Sequence, residues 1–167
     1  MGGGNLVIEL KIKNRKSSIS VNSKEVKNII GLRSDFEDIQ DISDTINQEN
    51  IMVFDCQLAQ DIFDMEDIEE LLEEMGDDID ESYFQVLFED VRAYLKDATD
   101  EIEEELQDKY LFDNVRCFFD VYNIDESFTD FKFVFLVSFK DIKIASLTNL
   151  AKIVGKRQLI GASKFYS

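Results

Sequence analysis

The chain has no histidine, no proline and no tryptophan, and only two cysteines among its 167 residues. Histidine is the usual general base near neutral pH and a frequent zinc ligand, so its absence removes the common catalytic triads and most zinc sites. Cys56 and Cys117 would lack the histidine partner of a thiolate nucleophile. Both lie inside apolar runs without CxxC spacing, which reads as small core residues of a reduced protein rather than as a disulfide. The glycines at 2–4 follow no strand and precede no GK[ST] sequence, so a phosphate-binding loop is missing too. These absences argue against an enzyme and against a nucleotide or metal cofactor. No apolar run is long enough to span a bilayer, and the N-terminus lacks a charged segment followed by an apolar one; a cytoplasmic protein without membrane contact is expected. Leu6 stands where a myristoylation signal needs Ser or Thr, so residues 1–5 read as a flexible arm.

What the chain has in excess is negative charge. Its net charge is −18, with 36 acidic against 18 basic residues, far beyond the single-digit values usual for a small soluble domain. The excess is concentrated: residues 34–114 hold 29 acids against Arg92, Lys96 and Lys109, whereas residues 1–33 and 115–167 are mildly basic. Fourteen phenylalanines and a hydrophobic content of 44% are enough for a substantial core. The abundance of Ile, Asn, Lys, Asp and Phe suggests an AT-rich genome.

Alternation of Leu6, Ile8, Leu10 and Ile12 with Glu9, Lys11 and Lys13 predicts a half-buried strand, and Ile19 and Val21 mark its return partner in a hairpin. Ser23 is placed to cap a short helix through Val26, Ile29 and Ile30 that ends at Gly31. Ser34 and Glu37 form a capping-box pattern, followed by Phe36, Ile39, Ile42 and Ile46 at helical spacing, so a second helix is expected there. The apolar run at 50–56 is compatible with a strand or a helix start. From Asp64 to Glu81, eleven of eighteen residues are acidic. Met65, Ile68, Leu71, Leu72 and Met75 fall on one helical side there, and Glu66, Glu70, Glu73 and Asp77 on the other. Helical spacing then continues from Phe84 through Tyr110, predicting one long helix over 82–111, with a possible break at 97–100. Two aromatic and β-branched strands follow as a hairpin. In the second, Phe131, Phe133, Phe135, Val137 and Phe139 share one face and Val134 and Leu136 the other, as in a central strand covered on both sides. A short helix capped by Ser146 and closed by Gly155 precedes a basic tail. The expectation is a single α+β domain over residues 1–167, its terminal hairpins joined into one antiparallel sheet with acidic amphipathic helices packed on it.

Carboxylates can serve a metal, a reaction, a solvated surface or a binding face. Residues 78–89 place acids at positions 1, 3 and 12 of a calcium loop, but Tyr83 stands at the position that requires Gly, and the segment continues an apolar helical stripe. A two-metal nuclease needs acids converging from strand ends, whereas these spread along helix faces. An ordinary solvated face mixes signs. Here Glu66/Glu70 and Glu69/Glu73 are like-charge pairs that each cost on the order of 0.2–0.5 kcal/mol. Carboxylates at i and i+4 lie about 6 Å apart along a helix axis, near the scale of successive phosphates. Such helices can imitate a nucleic acid and be steered to a basic groove.

In size, acidity and composition the chain resembles phage-encoded anti-CRISPR and anti-restriction inhibitors; no motif carries the likeness. The expected function is therefore a nucleic-acid mimic that binds a basic nucleic-acid-binding protein, such as a nuclease or CRISPR effector, without binding nucleic acid itself. The candidate contact residues are Glu66, Glu70, Glu73, Glu74, Asp77, Asp78 and Asp80 on a first element, and Glu101, Glu104, Glu105 and Asp108 on a second. One alternative is an immunity- or antitoxin-like partner of one basic protein, anchored by Tyr83, Tyr94 or Tyr110. Another is an assembly protein whose acids only solvate it and which exposes an apolar patch elsewhere. Lys152, Lys156 and Arg157 are expected to balance the acids internally.

Overall fold

The structure, a computed structural model, describes residues 7–14, 16–46, 48–59, 73, 79–124 and 130–166, with the backbone alone at 59, 79–84, 124, 130 and 161–166. Among the described residues six strands and three α-helices form an α+β domain. Strands β1 (Glu9–Lys13) and β2 (Ser18–Asn22) pair as an antiparallel hairpin. Its turn is closed by Asn14, whose Oδ1 accepts from the backbone N–H groups of Lys16 and Ser17. Helix α1 (Ser23–Leu32) follows directly. Then come β3 (Asp38–Asp41), a 3-10 turn at Ser43–Thr45, and β4 (Ile51–Ala59). Helix α2 (Ile79–Tyr110), strands β5 (Arg116–Ile124) and β6 (Asp130–Ser138), and helix α3 (Ile144–Tyr166) complete the described chain.

The main sheet is antiparallel with order β3-β4-β6-β5. Its centre is β6, and the alternation of its residues divides the core. Phe131, Phe133, Phe135, Val137 and Phe139 are buried with α1, α2 and the N-terminal hairpin on one side. Val134 and Leu136 are buried against Leu147, Ala151 and Val154 of α3 on the other. A strand covered on both faces must be apolar at consecutive positions, and the run from Phe133 to Val137 meets that demand. On α2, Leu87, Val91, Leu95, Ala98, Ile102, Leu106 and Tyr110 recur every three or four residues and are all buried. One face of a helix of about 48 Å thereby lies on the sheet side, and everything charged is left to the other.

The terminal hairpins exist, but they do not join. β1 and β2 form their own two-stranded sheet, while β6 is paired on both sides by β4 and β5. The small hairpin lays Leu10, Ile12, Ile19 and Val21 on the main core as a separate layer. It is tied to α2 where Asn14 Nδ2 donates to Tyr110 O at 2.8 Å.

Four local expectations are corrected. The segment at 34–46 is a strand and a 3-10 turn rather than a helix. Phe36 and Ile39 pack on the α2 side of the sheet, and Ile42 and Ile46 on the α3 side. A single helical stripe could not serve two opposite cores. Ser34 Oγ donates back to Ile30 O instead of capping. Secondly, the N-cap of α1 is Asn22, whose Oδ1 accepts from Glu25 N, and the helix runs past Gly31 to Leu32. Ser23 Oγ instead accepts from Ile8 N, locking the hairpin to the helix. Thirdly, α2 is unbroken through 97–100; Ala98 and Thr99 are buried there, and Thr99 Oγ1 donates to Leu95 O. It ends where Leu111 takes a left-handed φ of 52°. Lastly, α3 does not stop at Gly155 but continues to Tyr166. Gly155 is there for closeness: a Cβ on it would stand 2.9 Å from Tyr122 Cβ.

Candidate functional site: a carboxylate face on the long helix

Because one face of α2 is committed to the core, the periodicity of its remaining residues dictates what the surface displays. Between residues 97 and 108 that surface carries seven carboxylates and no base. Asp97, Glu101, Glu104 and Asp108 are exposed and recur at intervals of four, three and four residues, which keeps them on one stripe. Asp100 is exposed beside them, and Glu103 and Glu105 are half-buried on the flanks.

The flanking pair is partly employed within the fold. Glu105 Oε1 accepts from Arg33 Nη2, and Glu103 Oε1 accepts from Cys117 N at 2.8 Å. Glu101, Glu104, Glu105 and Asp108 line a cleft of about 260 Å³ with Arg33 at its edge. Next to it, Asp35, Asp97, Tyr94 and Leu32 border a second opening of about 430 Å³; Leu32 is 82% exposed. The structure thus brings together all four candidates of the second element and adds Asp97, Asp100 and Arg33, which the sequence reading did not select. The recurrence at 97, 101, 104 and 108 was the available signal for Asp97.

Of the first element, Glu66, Glu70, Glu74, Asp77 and Asp78 lie outside the described residues. Glu73 is exposed and helical in backbone, and Asp80 belongs to the backbone of α2 with its side chain undescribed. Residues 79–89 are continuous helix, which is not the geometry of a calcium loop. Among the described residues, no group of three or more His, Cys, Asp or Glu side chains is arranged to hold a metal ion.

Two of the tyrosines named as anchors are part of the packing. The Tyr94 hydroxyl accepts from Asp35 N at 2.7 Å, and its ring meets Phe36 edge-on at 6.4 Å. Tyr110 is buried edge-on to Phe139. Burial, and then the Glu25 carboxylate, push its phenol well above the ordinary range. Tyr83 lies beyond the described side chains. Lys152, Lys156 and Arg157 are exposed on α3, and among the described residues they make no ion pair. The described pairs are Arg33 with Glu105 and Lys109 with Glu25 at 3.0 Å. Among the described residues, charge balance at contact range is therefore supplied by Arg33, just past α1, and by Lys109 near the end of α2.

Among the described residues no helix is long and apolar enough to cross a membrane. No known protein family, characterised protein or solved structure matches the chain.

Proposed function

We propose that the protein is an acidic nucleic-acid mimic, which binds and blocks the basic nucleic-acid-binding surface of a nuclease or CRISPR-type effector. The observation that carries this reading is the density and rigidity of the charge on α2. Seven carboxylates over twelve helical residues, one of them offset by Arg33, leave six charges over about 18 Å at 1.5 Å per residue, or one per roughly 3 Å. That lies between about 3.4 Å for one strand of B-DNA and about 1.7 Å for the duplex axis. The carboxylates stand on a helix whose opposite face is fully packed, so little ordering is required on binding. Their placement also works against the helix itself. Asp108 stands in its last turn, where the macrodipole favours cations, and the carboxylates repel one another at i,i+3 and i,i+4 spacing. A surface kept at a cost to stability is more readily explained by a partner than by solvation.

An acidic partner for one basic toxin is less well supported, since Tyr94 and Tyr110 are engaged in the fold. The assembly reading has one observation in its favour: α3 exposes Ile153 and Ile160 at 57% and 58%, on the side of the sheet away from α2.

The test is capture of a partner from lysate on immobilised protein at low salt, eluted in parallel by a NaCl gradient and by excess duplex DNA or RNA. A mimic releases a basic nucleic-acid enzyme in both arms, and its retention falls stepwise as Asp97, Glu101, Glu104 and Asp108 are neutralised. Self-association that is indifferent to salt would replace this reading with assembly through α3.

A further inference from the structure

Among the described residues the sheet has two edges, β3 and β5, and nothing pairs with the one at β5, which lies beside a cleft. The hydrogen-bond phase of the sheet decides which backbone groups face that cleft. Phe139 N donates to Asn50 O, so the odd-numbered residues of β6 pair with β4, and its even-numbered residues Val134 and Leu136 turn to β5. Their partners are Asp120 and Phe118. Cys117, Phe119 and Val121 must therefore turn their N–H and C=O groups outward. Cys117 verifies the phase, because its N–H is held by the Glu103 carboxylate of α2 at 2.8 Å. Phe119 and Val121 have no such partner among the described residues, and the pairing with β6 shifts register only beyond them, between Val121 and Asn123.

In front of these groups is a cleft of about 430 Å³, floored by Phe88, Phe118, Phe119 and Val121 and flanked by Arg92 and Lys96 of α2. Arg92 and Lys96 are four residues apart on one side of the helix and exposed. Among the described residues neither forms an ion pair, although they sit in the most acidic part of the chain. Among the described lining residues the cleft has one carboxylate, Asp120, which is within electrostatic reach of both Lys152 and Arg92. A cation pair, an apolar floor and outward strand groups at Phe119 and Val121 that have no partner among the described residues are the parts of a strand-addition site.

We propose that this cleft takes an extended acidic peptide segment of a partner protein, which adds to β5 as a fifth strand with its carboxylates toward Arg92 and Lys96. Charge complementarity selects the occupant. A basic segment would be drawn to the carboxylates at 97–108. A second copy pairing β5 with β5 would bring two Arg92 and Lys96 pairs together, and like charges across an interface are costly. The contact is separate from the carboxylate face and does not depend on what that face binds.

The probe is a fluorescein-labelled nonapeptide alternating valine with glutamate, compared with the same peptide carrying glutamine, at about 0.15 M salt, where the Debye length of about 8 Å screens the protein's overall charge. Anisotropy is expected to give binding of the glutamate peptide at least about tenfold tighter than of the glutamine peptide, and the double variant Arg92→Glu/Lys96→Glu is expected to abolish that preference. Bound glutamate peptide is expected to slow amide exchange at Phe119 and Val121 by about tenfold or more while leaving Cys117, already bonded, unchanged. Both variant positions are exposed, so the melting temperature serves as the folding control. Equal affinity for the two peptides, unchanged exchange at Phe119 and Val121, or a dimer in sedimentation whose exchange protection maps to β5 without peptide would each overturn the proposal.

Discussion

Neutralising the exposed stripe of α2, with Asp97→Asn, Glu101→Gln, Glu104→Gln and Asp108→Asn together, is expected to stabilise the protein while destroying its binding. The four side chains take part in seven like-charge pairs at i,i+3 or i,i+4 spacing with one another and with Asp100 and Glu105. At about 0.2–0.5 kcal/mol for each pair, their removal returns about 1.5–3.5 kcal/mol. Asp108 stands in the last turn of α2, where loss of its charge adds a few tenths of a kcal/mol through the macrodipole. None of the four accepts one of the hydrogen bonds described above, so the loss in exchange is confined to their attraction to Arg33 at the edge of the cleft. For a chain of this size the gain corresponds to a rise of roughly 3–14 °C in Tm. Urea titrations at about 0.01 M and 1 M salt, where the Debye length falls from about 30 to about 3 Å, are expected to give the full gain in the first and little in the second. An unchanged or lowered stability at low salt would refute the reasoning, because the carboxylates would then be serving the fold rather than opposing it.

Three further outcomes follow from the packing. Gly155→Ala in the middle of α3 would ordinarily gain up to about 1 kcal/mol in helix propensity, but its methyl would lie 2.9 Å from Tyr122 Cβ. Overpacking of about 1–3 kcal/mol is expected to leave a net loss in urea titration, and a net gain would mean that Tyr122 yields freely. Asp120 has its carboxyl raised from 3.8, chiefly by burial and against the pull of Lys152 and Arg92. The folded state thus holds that proton more tightly than the unfolded chain, and the stability it lends is present below about pH 3.8 and lost as pH rises through the folded value. Asp120→Asn is accordingly expected to raise Tm slightly at neutral pH and not at pH 3; an equal shift at both would assign the effect to packing. Both thiols are pushed well above 9.0, chiefly by burial, with Asp55 beside Cys56 and Glu103 beside Cys117 adding to it. Iodoacetamide at pH 8 is expected to modify Cys56, which is buried, far more slowly in the native protein than in the urea-unfolded chain, with the half-buried Cys117 protected less, and equal rates at Cys56 would contradict its packing.

Much of the fold was legible because β6 and α2 each impose one demand. The apolar run from Phe133 to Val137, mostly aromatic and β-branched, suits a strand buried on both faces, and the stripe from Leu87 to Tyr110 suits a helix with one buried side. Legibility failed where a local pattern had two tertiary solutions. Phe36, Ile39, Ile42 and Ile46 have helical spacing, yet they feed two cores on opposite sides of a sheet. Gly155 looks like a helix stop until Tyr122 arrives from another strand. The carboxylate stripe could be read from charge and period alone. The cleft at β5 could not, since it depends on which strand lies at an edge and on the phase of its hydrogen bonds.

The order of the sheet also sets how the chain must find its structure. β5 and β6 close a hairpin in which Ile124 and Phe131 are seven residues apart. β4 reaches β6 only across separations of 71 residues, Ala59 to Asp130, to 87, Ile51 to Ser138. Closing the shorter of these costs about 2 kcal/mol more in chain entropy than closing the hairpin. The strand that completes the centre of the sheet therefore docks late, after a connection that includes all of α2 has been drawn in. Pairing at such range puts folding toward the slow, millisecond-to-second end for a domain of this kind. The self-repelling helix lies within that connection, so added salt, by screening its carboxylates, favours the element that the connection must form.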